Sequence, residues 1–172
     1  MYFTIEEATE EIDTVLAGRL PGKVDSYYYP VGRLAMLKDI RVLYDEGFLL
    51  SVKDRLSVYP DSLAESVLAH HLSALEDTED LTRAVARGDV LFYHFALDLA
   101  LDHYLQALFA LNRAYFPSRK RSMEYIERFK KKPADCEEKL TEIVRQGGSA
   151  EGLGASFRLL AELCDWLRQI SV

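Results

Sequence analysis

Residues Val90 to Tyr115 form the most apolar stretch of the chain, broken before Asn112 only by His94, Asp98, Asp102, His103 and Gln106. A helix that is hydrophobic on nearly all sides belongs at the centre of a helical assembly, so this segment predicts a central helix that others must cover. The same polar residues keep every window below the roughly 18–20 uninterrupted apolar residues of a membrane span. No membrane contact is expected.

The rest of the chain supplies helices to do the covering. Thr4 and Glu7 have the spacing of a capping box, in which a hydroxyl and a carboxylate satisfy backbone N–H groups at a helix start, and helical periodicity then runs from about residue 5 to 17. Arg19 to Pro30, with Pro21-Gly22 and three consecutive tyrosines, reads as an irregular connection. Val31 to Ile40 reads as helix, Val42-Leu43-Tyr44-Asp45 leads into a turn at Glu46-Gly47, and a short helix at about 49–58 ends before Pro60. From Ser62 to Arg87 the positions Leu63, Val67, His70 or His71, Ala74, Thr78, Leu81 and Val85 recur at three- and four-residue spacing, which predicts one long amphipathic helix. Gly88-Asp89 ends it and caps the apolar helix, so the two form a long hairpin. Pro117 stops the apolar helix. Further helices are expected at about 120–129, at 136–145 and from Leu153 or Ala155 to Ile170, with residues 147–154 as a flexible link.

The expected fold class is therefore all-α: an up-and-down bundle of four to five main helices with a long central hairpin, forming one domain over residues 1–172. With 49% hydrophobic residues and a net charge of -7, the chain can bury a core and should fold. Cys136 and Cys164 match neither a metal pair nor a disulfide framework and read as free thiols. The acidic residues after Ile5 do not resemble a secretory signal, so a cytoplasmic location is expected.

Two features carry candidate chemistry. On the central helix His94, Asp98, Asp102 and Gln106 advance by about 40° per step, and Arg113 falls on the same face. Buried polar groups need partners, so this stripe either floors a pocket, with Asp98 and Asp102 accepting from a sugar or amine, or is bonded to neighbouring helices or water. His94 and Asp98 also have the spacing of helix-borne metal ligands, but no second histidine pair matches them and no metal is assigned. The second feature is charge: residues 113–132 carry eight basic and two acidic side chains, a local +6 in a chain whose remainder is -13. Such a patch suits phosphates or nucleic acid, or it balances acidic neighbours.

Smaller signals point elsewhere. Arg87 and His94 form an Arg-x6-His spacing that resembles the ribonuclease signature of HEPN domains; the alternative reading is a core histidine and a surface arginine. His70, His71 and His103 read as structural. Ser149, in a Gly-Gly-Ser context, has no following Asp-x-Asp and reads as linker. Among the motifs of catalysis, the Walker loop, nucleophile elbow and zincin helix are all absent from the sequence.

The runs Ala86-Arg87-Gly88-Asp89-Val90-Leu91 and Gln106-Ala107-Leu108-Phe109-Ala110-Leu111-Asn112-Arg113-Ala114-Tyr115-Phe116-Pro117 resemble the C-terminal helical region of a family of nucleotidyltransferase-like proteins of unknown substrate. Val42 to Asp45, Tyr59-Pro60 and Lys120 fit the same pattern, and the resemblance spans roughly residues 5–146. It implies an α/β catalytic domain placed first, in cis or in trans, that holds Mg²⁺ and ATP; Met1 to Thr4 read as its tail. No cofactor is expected in this chain itself, and no catalytic residue is assigned to it. The resemblance implies that the helical half shapes the acceptor side of the cleft, with His94, Asp98, Asp102, Asn112, Arg113 and Lys120 as substrate-binding residues. Asn112 and Lys120 rest on the resemblance, the others on the stripe. The acceptor could be a small molecule, a nucleic acid or a protein, and a homodimer is compatible with the sequence. The competing functions are a HEPN-type ribonuclease or toxin-system partner, and a purely structural interaction bundle.

Overall fold

The computed structural model describes residues 4–20 and 30–171, and the connection containing Pro21-Gly22 and the three tyrosines lies outside the described residues. The protein is all-α. Its described residues form α1 (Ile5–Leu16), α2 (Pro30–Asp39), α3 (Phe48–Arg55), α4 (Asp61–Ala74), α5 (Glu79–Arg87), α6 (Val90–Leu111), α7 (Ser122–Ile126), α8 (Cys136–Gln146) and α9 (Leu153–Ile170). None of the described helices is long and apolar enough to cross a membrane.

Local chemistry sets several boundaries. Thr4 Oγ1 accepts from the Glu7 N–H at 3.1 Å while the Glu7 carboxylate accepts from the Thr4 N–H at 2.8 Å, the expected capping box. Asp45 receives the N–H groups of Leu49 and Leu50 at the start of α3, and these bonds hold its carboxyl below the usual range. Gly88 takes a left-handed conformation at the end of α5, and Asp89 accepts from the Phe92 N–H to start α6. Gly18, also left-handed, approaches α4 so closely that an added Cβ would lie 2.6 Å from the Ser62 carbonyl oxygen.

The long helix expected over residues 62–87 is instead two helices with a corner at 75–78. Glu76, Asp77, Glu79 and Asp80 would place like charges one turn apart in a continuous helix, whereas at a helix start the same acids face the positive end of the dipole. Asp77 accepts from the Glu79 N–H, and Arg168 of α9 donates to the Leu75 carbonyl at 3.0 Å, closing the end of α4.

The apolar helix ends at Leu111, earlier than its hydrophobic pattern suggests. Arg113 adopts φ 54°, and the Ala114 and Arg113 N–H groups return to the carbonyls of Phe109 and Ala110, a Schellman closure with arginine where glycine is usual. The helix expected at about 120–129 shrinks to the short α7, and residues 147–152 make a bonded corner, in which Gly152 sits too near the Gln146 carbonyl to carry a side chain.

α6 packs on α4, α5 and α9, α8 lies on α9, and α1 to α3 gather beside α4. One cluster of buried side chains joins α5, α6, α8 and α9 around Tyr93, Leu97, Tyr104, Leu108, Leu160 and Leu163. A second joins α1 to α4 with Ala110 and Tyr115. The central helix is not covered on every side. Leu91, Phe95 and Leu99, one turn apart, are 68%, 68% and 53% exposed, so its first half shows an apolar stripe while its second half is enclosed.

Candidate functional site

The chain leaving α6 turns back along the helix it has just completed. Tyr115 and Phe116 are buried, with the Phe116 ring edge-on to Phe109 at 5.0 Å. Arg119 then reaches α6, where Nε donates to Asp102 at 2.7 Å and Nη1 to Asp98 at 2.6 Å. Gln106 Nε2 donates to the other Asp102 oxygen at 2.8 Å. Most of the polar stripe is therefore bonded within the chain: Arg119 joins Asp98 to Asp102, and Asp102 in turn accepts from Gln106. A carboxylate pair bridged by a guanidinium does not fit a divalent cation, and no group of three or more His, Cys, Asp or Glu among the described residues is placed to hold a metal.

Behind this network lies a histidine cluster. Nδ1 of His71 on α4 and Nδ1 of His103 on α6 are 2.8 Å apart, with the exposed His70 ring 4.8 Å from that of His71. One nitrogen of the pair must donate and the other accept, so the two rings share a proton at this contact. Burial, then the neighbouring His103 and His70, push the His71 pKa down to about 3. His103 is lowered too, chiefly by burial, with Asp102 opposing.

The excursion closes at Asn112. Its Nδ2 donates to the carbonyls of Leu108 at 2.9 Å and Lys131 at 2.8 Å, and its Oδ1 accepts from the Lys131 N–H at 3.0 Å. This clasp holds Lys131 against the end of α6, beside an open pocket of about 340 Å³ lined by Leu111, Asn112, Arg113, Arg128, Phe129, Lys130 and Lys131. Phe129 packs edge-on to Phe109 at 4.8 Å and fixes the apolar wall. Of the basic side chains in 113–132, Arg113 pairs with Asp61, Arg119 with Asp98 and Asp102, Arg121 with Glu124 and Lys132 with Glu137. Lys120, Arg128, Lys130 and Lys131 make no ion pair among the described residues, and three of them line or border this pocket.

The residues selected from the sequence thus separate. Asp98 and Asp102 meet, through Arg119; Asn112 and Arg113 meet at the basic pocket, Asn112 as its clasp. His94 is half-buried with its ring edge-on to Tyr93, and about 27 Å of helix separates it from Asn112, too far for one small ligand. Lys120 is exposed and does not line the pocket. Arg87 and His94 share no hydrogen bond or ion pair among the described residues. His71, Arg119, Arg128 and Lys131 carry more of these sites than the sequence reading gave them. Both cysteines are free and buried, and burial raises both thiols, that of Cys164 to about 11.

An all-α domain with a partly buried ion network and a basic pocket at the end of its central helix is the class these features define. The chain belongs to the DUF4037 family, described as a domain of unknown function, whose profile matches residues 28–121, just over half of its length. That match contains the histidine cluster and Arg119 but stops short of Arg128, Lys130 and Lys131. No curated protein and no solved structure matches the chain.

Proposed function

We propose that this chain is the acceptor-side helical half of a nucleotidyltransferase-like protein, not catalytic by itself, whose basic pocket holds phosphate oxygens of the nucleotide. The catalytic partner would be an α/β domain in cis or in trans that holds Mg²⁺ and the body of ATP, with this chain's pocket adding contacts to the phosphates. The observation that carries the reading is the pocket at the end of α6, where Arg128, Lys130 and Lys131 make no ion pair among the described residues of a chain of net charge -7. A set of cations gathered at one spot in an acidic protein attracts polyanions. The left-handed Arg113 turns the chain at the pocket wall, while its guanidinium is engaged with Asp61 and leaves the free charge to the other three residues. Asn112 positions the pocket and is not itself a contact, while Asp98 and Asp102 hold Arg119, in the chain that leads from α6 to the basic residues.

The test is calorimetric titration of tripolyphosphate and of ATP into the chain at low ionic strength. Both should bind, more weakly as salt rises, and Arg128→Glu with Lys131→Glu should weaken binding by about tenfold or more, equivalent to about 1.4 kcal/mol. Both residues are exposed, so the doubly substituted chain should keep its thermal transition. Absence of binding, or binding indifferent to the charge reversal, would overturn the reading.

A further inference from the structure

A second cavity, of about 330 Å³, opens between the α4–α5 corner, the middle of α6 and the middle of α9. Its room comes from small side chains: Ala74 on α4, Ala96 and Ala100 on α6 and Ala161 on α9 all face it. Phe157 and Leu160 provide apolar wall, and Cys164 is a buried, neutral thiol at its side. A largely apolar cavity of this size with a few polar groups at its edge has the make-up of a small-molecule site.

The polar groups select the ligand's charge. Arg168 is the cation in the lining, and it is engaged: Nη1 donates to Asp165 at 2.7 Å and Nη2 to the Leu75 carbonyl at 3.0 Å. His103 faces the cavity with Nδ1 already joined to His71, and burial keeps it neutral. The mouth is acidic. Asp77 and Asp80 line it, and Glu76 and Glu79 stand exposed beside them, with Arg83 paired to Glu79 and Asp80 among the described residues. An anion would meet carboxylates and an occupied guanidinium, whereas a cation would meet net negative charge at the rim of an apolar recess.

We infer that this cavity binds a small organic cation, an amine or quaternary ammonium with an aromatic or short aliphatic body. The apolar body lies between α6 and α9, and the charged nitrogen stays at the mouth beside Asp77 and Asp80. The site is separate from the basic pocket and does not depend on the nucleotide reading: the two have opposite charge and sit on different parts of α6.

The experiment titrates three probes of one shape, 2-naphthylmethylamine, 2-naphthylmethanol and 2-naphthoate, into the full chain by calorimetry. The amine should bind tightest and the carboxylate weakest. Asp77→Asn with Asp80→Asn should weaken the amine by about fivefold, the scale of exposed rim charges, and leave the alcohol unchanged. Ala161→Leu and, separately, Ala100→Leu should remove binding of all three by filling the recess, with the thermal transition recorded to confirm that each folds. Equal affinity for amine and alcohol would overturn the charge selection. No amine binding, or amine binding that survives in a folded cavity-filled variant, would overturn the site.

Discussion

His71 and His103 meet through their Nδ1 atoms at 2.8 Å, across the contact between α4 and α6. The contact works only while at least one ring is neutral, since two imidazolium rings would present N–H against N–H. It makes the packing of α4 on α6 dependent on proton concentration.

The sign follows from the depressed His71 pKa. In the unfolded chain the group titrates near 6.5, in the folded chain at about 3, so between these values the unfolded state binds more protons. The stability contributed by neutral His71 is fully present above about pH 6.5 and is lost as pH falls toward 3, at up to about 1.4 kcal/mol per pH unit. Urea unfolding followed by circular dichroism at a series of pH values should show this decline. His71→Leu should flatten the slope over the same window; an unchanged slope would mean that other groups govern acid unfolding.

Arg119 holds two carboxylates of very different burial, Asp102 with 8% of its side chain exposed and Asp98 with 64%. Arg119→Ala takes the guanidinium from a buried carboxylate and should cost about 3 kcal/mol or more. Asp98→Ala removes an exposed pair and should cost less than about 1 kcal/mol. A double-mutant cycle by chemical denaturation should give a large coupling energy for Arg119 with Asp102 and a small one for Arg119 with Asp98. Equal couplings would show that burial does not decide the matter.

Asn112→Ala deletes the two hydrogen bonds that fasten Lys131 to the end of α6, and a third to the Leu108 carbonyl within α6, and should destabilise the protein by about 1–3 kcal/mol. The loss should be local first: hydrogen exchange at Lys131, whose N–H is bonded to Asn112, should speed up more than exchange in the α6 core. Uniform acceleration across the chain would place Asn112 in global folding instead.

Much of the fold was legible because helices advertise themselves through local chemistry. The Thr4–Glu7 box, the Gly88-Asp89 junction and the free thiols depend on residues close in sequence or on composition. Where the sequence reading failed, the apolar periodicity competed with other contacts, some from distant segments. The apolar spacing through 62–87 favoured one helix, but the acidic run at 76–80 and the reach of Arg168 to Leu75 made a corner. The apolar pattern ran past Leu111, but Asn112 found a better partner in Lys131.

The candidate sites divide along the same line. That His94, Asp98, Asp102 and Gln106 share a face follows from helical periodicity, and that Asp102 and Gln106, once buried, must find partners follows from the cost of an unsatisfied polar group. Which partner they find does not follow. Arg113 lies on the stripe by spacing, yet it turns to Asp61, while Arg119 takes the carboxylates because the chain doubles back after the end of α6. The His71–His103 contact, the basic pocket and the apolar cavity likewise need the packing of segments far apart in sequence. The sequence by itself determined the all-α class, the central helix and the polar face on it, all properties of a few consecutive turns. Tertiary structure alone decided which charges are neutralised inside and which remain at the surface, because ion pairs and cavities depend on distances between segments that periodicity does not specify.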